Sequence, residues 1–211
     1  MRSARHLLRW GLVAGPFYLA VGLAQAFTRE GFDFARHPLS VLANGSLGWI
    51  QTANFVLTGA MVIAAAVGFD RVLRPGSRAT GWFLGAFGAS MIVASVFRAD
   101  PMDGFPVGTP KGPPTSISRT GMVHFIAGAI GFVSLAISCL VAARAMSRLE
   151  ARGLARLSLA SGVIILLGFF GGAALPFGSP VLGIWIAVVV GWAWLAIASR
   201  RLATEYPLVS T

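Results

Sequence analysis

Apolar residues gather along the chain in six long blocks, at 10–27, 50–69, 80–97, 121–143, 158–175 and 181–199, none of which contains Asp, Glu, Lys or Arg. Each is close to the ~20 residues that cross ~30 Å of hydrocarbon at ~1.5 Å per residue. Buried strands would be shorter, and half-buried ones would alternate polar with apolar. The pattern therefore predicts an all-α, polytopic bundle of six transmembrane helices, a single six-span domain over residues 1–211. No repeat relates the first three blocks to the last three.

Composition agrees with lipid as the solvent. Of 211 residues, 56% are hydrophobic and 11% charged, where a soluble domain carries about 25% charged residues. The net charge of +10 is decided by its placement. The N-terminus, the segments 70–79 and 144–157 and the C-terminus together hold twelve of the 17 basic residues and three of the seven acids. The alternate segments hold five basic residues (Arg29, Arg36, Arg98, Lys111, Arg119) and four acids (Glu30, Asp33, Asp100, Asp103). Such asymmetry predicts cytoplasmic termini and two long external loops. Membrane lipids are the expected partners. Nucleic acid is not, because the arginines are spread over short loops without a recognition element.

"MRSARHLLR", an apolar run and "AQA" resemble a secretory signal. Against that reading, Gly11, Gly15, Tyr18, Gly22 and Gln25 recur at spacings of three and four, the face of a packed helix. Pro16 is expected to kink this span. The lone cysteine, Cys139, excludes an internal disulfide and reads as a small buried apolar residue.

The first external loop contains "GFDFARHPLSVLANGS". Pro38 suits the first turn of a short helix, Asn44-Gly45 a stop, and Ser46 a cap for the second span. Phe32, Phe34, Leu39 and Leu42 would anchor that helix on or into the outer boundary. The second loop carries five of the eleven prolines between Pro101 and Pro114. Asp100-Pro101 and Asp103-Gly104 form turns there, and the remainder is expected to be extended and polyproline-like. Arg36 or Arg98 paired with Asp33, Asp100 or Asp103 would tie the two loops together as a lid.

Polar residues inside the spans add chemistry. Gln25 ends the first span; Gln51, Asn54 and Thr58 fall on one face of the second; His124, Gly128, Gly131, Ser134 and Ser138 trace a face of the fourth. Gln25, Gln51, Asn54 and His124 lie within roughly 6 Å of one boundary at ~1.5 Å per residue. In lipid they must face inward and pair, or line a pocket. The last two spans carry no comparable group and read as packing helices, with Gly168 and Gly172 as a close-approach pair.

At "RHPLS", "GWIQTANF" and "DPMDGFPVGTP" the chain resembles the bacterial six-helix membrane proteins grouped as domain of unknown function 998. The resemblance implies a six-span protein of the bacterial cell membrane. It brings no established activity, and no catalytic residue is carried over from it.

Three functions follow as expectations. The first is binding of a lipid or other small amphiphile in the outer half of spans one to four. Its candidate residues are Gln25, Asp33, Arg36, His37, Ser40, Gln51, Asn54, Arg98, Asp100, Asp103 and His124, with His37 hanging over a floor of Gln25, Gln51, Asn54 and His124. The second is an interfacial metal-dependent hydrolase using His37, His124 and Asp100; catalytic zinc takes three protein ligands, and no His-x-x-x-His spacing supplies them. The third, a coupled transporter, lacks the intramembrane charge that ion relays use. No cofactor is expected.

Overall fold

A computed structural model describes residues 2–73, 77–112, 116–172 and 179–205. Six long helices account for the six blocks: α1 (Arg2–Thr28), α2 (Gly48–Leu73), α3 (Ala79–Val96), α4 (Arg119–Arg148), α5 (Arg152–Gly171) and α6 (Pro180–Thr204). There is no strand among the described residues. Each helix is long and apolar enough to cross a bilayer. The protein is thus an all-α, multi-pass membrane protein. The helices outrun their apolar blocks where arginines flank them, as at Arg5 and Arg9 of α1 and Arg144 of α4. The end of the fifth predicted span and most of "PFGSP" lie outside the described residues.

Each helix packs on its neighbours in sequence, and α1 returns to α6, so the six form a ring in chain order. Consecutive membrane crossings run in opposite directions, so neighbouring helices are antiparallel. Without a hydrophobic driving force between helices in lipid, close approach depends on small residues. A methyl on Gly168 would stand 2.7 Å from the Gly183 carbonyl oxygen, and one on Gly59 2.7 Å from the Gly88 carbonyl oxygen. The expected Gly168/Gly172 contact is present, with Gly183 as its counterpart on α6. The small-residue face of α1 is also used: a methyl on Gly15 would lie 2.7 Å from Trp192 Cβ, and one on Gly22 2.7 Å from Leu39. α1 runs unbroken through Pro16. The outward surface is apolar, with Trp82, Leu167 and Phe170 exposed to lipid.

Both outer loops fold inward. The short 3-10 helix Leu39–Ala43 is buried with Leu39, Val41 and Leu42, so it dips into the ring and does not lie on its surface. Pro38 precedes it and Asn44 ends it as expected. Ser46 makes no capping bond, and α2 starts two residues later at Gly48. The second loop is not extended. Met102 and Phe105 exchange backbone hydrogen bonds around Asp103 (φ 45°) and Gly104 (φ 90°), a tight turn with both central residues in the left-handed region. Asp103 N–H then donates to the Gly112 carbonyl and Gly104 N–H to the Pro110 carbonyl. Local turn bonds win over polyproline geometry because they satisfy backbone groups packed over the bundle.

Candidate functional site

Beneath these loops the ring encloses a cavity of about 280 Å³. All six helices or their outer connections reach it. Tyr18 comes from α1, Phe55 from α2, Phe87 and Met91 from α3, Phe132 from α4, Phe169 from α5, and Trp185 and Trp192 from α6. This corrects the expectation that the last two spans only pack, and that the pocket belongs to spans one to four. The cavity wall is built of aromatic and aliphatic side chains, which in sequence look like ordinary core. Gly128 and Gly131 of α4 also face it, and the space around a methyl on Gly128 would be open for 4 Å. Among its lining residues Phe125 of α4 is exposed, and Val181 and Ile184 of α6 are partly so.

Three of the sequence candidates line this cavity: Ser40, Asp100 and His124. His124 turns Nδ1 toward two carbonyl oxygens at the end of α3, Ala94 at 3.2 Å and Phe97 at 2.9 Å. Two acceptors require a proton on Nδ1, which leaves Nε2 as a lone-pair acceptor with no partner among the described residues. On the α6 side, the Trp185 indole N–H has no partner among the described residues, but it is buried and not open to the cavity. Asp100 is less free. Its carboxylate accepts from the backbone N–H (2.9 Å) and the hydroxyl of Ser118, and Ser118 in turn caps α4 through the Gly121 N–H at 3.0 Å.

Gln25, Gln51 and Asn54 do not reach the cavity; they fasten α1 to α2. Gln25 Nε2 donates to Gln51 Oε1 at 2.9 Å. Asn54 Nδ2 donates to the same oxygen at 3.2 Å and to the Tyr18 carbonyl at 3.1 Å. Thr58 donates to Asn54 Oδ1 at 3.2 Å, so the i, i+3, i+7 face is real and is used for interhelical bonding.

His37 is likewise structural. It is fully buried, and its Nδ1 accepts from the Asp33 backbone N–H at 2.9 Å while Nε2 lies 3.1 Å from the Asp103 carbonyl oxygen. A donor faces one nitrogen and an acceptor the other, so the ring is the neutral Nε2–H tautomer joining the two loops. No nitrogen is left for a ligand head group or a metal. Among the described residues no three His, Cys, Asp or Glu side chains gather as a metal site, so His37, His124 and Asp100 do not form the set a hydrolase would need.

Arg36 completes the clasp, with Nε 2.9 Å from Asp33 Oδ2 and Nη1 3.2 Å from the Asp103 carbonyl and 3.4 Å from its carboxylate. The Asp33 carboxyl is held below the usual carboxylate range, first by the Ala35 N–H and then by Arg36; Asp103 is lowered chiefly by the Gly112 N–H. Arg98 is exposed and pairs with neither loop. Its expected place is taken by Arg29, which sequence reasoning missed. Arg29 donates to the Leu42 and Asn44 carbonyls and lies 4.8 Å over the Phe105 ring. Asn44 adds a bond to the Ala99 carbonyl at 3.0 Å. The signal for Arg29 was its position at the helix end, directly before a loop with unsatisfied carbonyls.

The model of the family described as "Protein of unknown function (DUF998)" matches residues 12–201. The chain belongs to the DUF998 family. That match covers all six helices of this DUF998 protein, in line with the resemblance at "RHPLS", "GWIQTANF" and "DPMDGFPVGTP". Neither a curated protein nor a solved structure matches the chain.

Proposed function

We propose that this DUF998 protein binds a single-chain amphiphile carrying a hydroxyl-type head, held in the cavity under the clasped outer loops. The observation that carries the reading is an apolar cavity with one polar atom on its wall that has no partner among the described residues, the acceptor Nε2 of His124. A hydroxyl donates to such an acceptor, and ligand sites commonly combine an apolar lining with a few placed polar groups. Size narrows the class. A cavity of ~150 Å³ holds benzene, so about 280 Å³ accommodates one ring system or a short chain but not a two-chain phospholipid.

The proposal includes the orientation. The arginine-rich end, with both termini, faces the cytoplasm of a bacterial cell, and the clasped loops face outward. Single cysteines at Ser77 and Ser147, placed after Cys139 is replaced, should resist an impermeant thiol reagent in intact cells, whereas one at Thr109 should react. The reverse labelling inverts the topology.

The binding reading is tested with His124→Leu. One neutral hydrogen bond is worth about 1 kcal/mol, roughly fivefold in affinity. A short-chain alcohol should therefore bind the variant about fivefold more weakly, and the matching hydrocarbon should bind it as well as wild type. An equal loss for both, or no loss for either, removes His124 from the site.

A further inference from the structure

A second groove lies at the opposite, arginine-rich end of the bundle, between α4 and α5, with a volume of about 380 Å³. Arg144 of α4 and Arg152 and Arg156 of α5 line it together with Ser147. All three guanidiniums are exposed, and no carboxylate among the described residues bonds any of them. Arg152 and Arg156 stand one helical turn apart on one face, an arrangement that repels when left unpaired. Three converging cations without a counter-charge do not help the bundle hold together; they define a place for an anion.

We infer that this groove binds the phosphate head group of an anionic phospholipid, with the lipid's chains running down the outer surface of α4 and α5. The depth fits. α4 has 30 residues, about 45 Å at ~1.5 Å per residue, so it exceeds the ~30 Å hydrocarbon layer and its last turns emerge among the head groups. α5 begins at Arg152 on that same boundary. Arg144, Arg152 and Arg156 thus sit at head-group level, while Leu140 and Leu159, which also line the groove, lie three to four residues deeper on their helices. The groove is cationic at one end and apolar at the other, which matches a lipid and not a small water-soluble ion. Guanidinium forks suit phosphate oxygens geometrically, and the Ser147 hydroxyl offers a further donor. The first turn of α5 has no side-chain cap and turns its positive end toward the same place. This site is independent of the outer cavity and of the function proposed for it.

The test compares two triple variants of the full-length chain. One removes the groove arginines (Arg144→Gln, Arg152→Gln, Arg156→Gln). The other removes three exposed arginines at the same end but outside the groove (Arg5→Gln, Arg78→Gln, Arg200→Gln). Both lose the same charge, so diffuse attraction falls equally in each. Retained phosphatidylglycerol is measured against phosphatidylcholine by native mass spectrometry after release from nanodiscs holding the two lipids in equal amounts. A direct hydrogen bond between charged groups is worth about tenfold or more, so the groove variant should lose selectivity by roughly a hundredfold or more beyond the diffuse loss that both variants share. Equal losses in the two variants, or no preference for phosphatidylglycerol in wild type, overturn the proposal. Inorganic phosphate added to the wild-type complex should leave the lipid bound; complete displacement would reassign the groove to a free anion. Should the groove triple fail to fold, Arg156→Gln alone carries the comparison against Arg200→Gln, with the same expected order.

Discussion

Gly128→Leu separates a cavity that binds from a cavity that is only a packing gap. Gly128 lies on the cavity wall, and a side chain there meets nothing within 4 Å of its first atom. Leucine adds four carbons, on the order of 100 Å³ if each takes about the ~30 Å³ share of a water. That is close to a third of the 280 Å³ cavity. Filling empty volume recovers about 24 cal/mol per Å³ in a soluble core, which gives about 2.4 kcal/mol here. The gain is one of dispersion contacts, which survive in lipid where transfer from water does not apply. Replacing glycine within a helix adds about 1 kcal/mol, and ordering the new side chain takes back about 0.5–1 kcal/mol. The variant should therefore be more stable by about 2–3 kcal/mol, seen as a higher melting temperature in detergent. At the same time it should bind alcohols at least about tenfold more weakly, the equivalent of ~1.4 kcal/mol. Quenching by a brominated short-chain alcohol reads the binding directly, because Trp185 and Trp192 line the cavity. Undiminished quenching in a stabilised variant would refute the reasoning, since the ligand would then be elsewhere. A destabilised variant would refute the volume estimate.

The remaining predictions concern the clasp and the bundle. His37→Ala strands the Asp33 N–H, at about 1–3 kcal/mol, while Arg36 still donates to the Asp103 carbonyl; it should lower stability by about 1–3 kcal/mol and expose the turn around Asp103 to protease without changing which lipids copurify. Acid should act on the same clasp. Because Asp33 and Asp103 titrate below the ordinary carboxylate value, their stabilisation is present above pH ~4 and is lost as the pH falls through the lowered folded values. Protease protection of the loops should accordingly be flat from about pH 7 to 5 and fall only below about pH 4; a midpoint near neutrality would assign the control to another group. Gly168→Leu drives a side chain into the Gly183 backbone and should cost about 1–3 kcal/mol, whereas Gly153→Leu, which meets nothing within 4 Å, should not destabilise.

Which parts of this molecule could be read from sequence follows from the physics of each part. The spans were legible because lipid forbids charge over ~20 residues, a constraint written in every position of a block. Gln25, Gln51, Asn54 and His124 are expected at one depth from the sequence, since depth depends only on rise per residue. Their partners were not legible. The amides bond one another across α1 and α2, whereas His124 turns to α3 carbonyls and the cavity, and the choice depends on helix rotation. The cavity was hidden for a related reason. Phe87, Phe132 and Trp192 read as core, and only the ring of helices leaves a space among them. His37 was misread because a buried histidine bonded to backbone on both nitrogens has the same sequence signature as one that waits for a ligand. Arg29 was missed because its partners are backbone carbonyls thirteen and fifteen residues away.

Photolabelling tests the central claim most directly. A short-chain alcohol carrying a diazirine is irradiated with the full-length protein in nanodiscs, and adducts are mapped by peptide mass spectrometry. Adducts should concentrate on Met91, Phe132 and Trp185 at the cavity wall and should be lost in Gly128→Leu. Labelling spread over the lipid-facing surface at Trp82, Leu167 and Phe170, and equal in both proteins, would contradict the account.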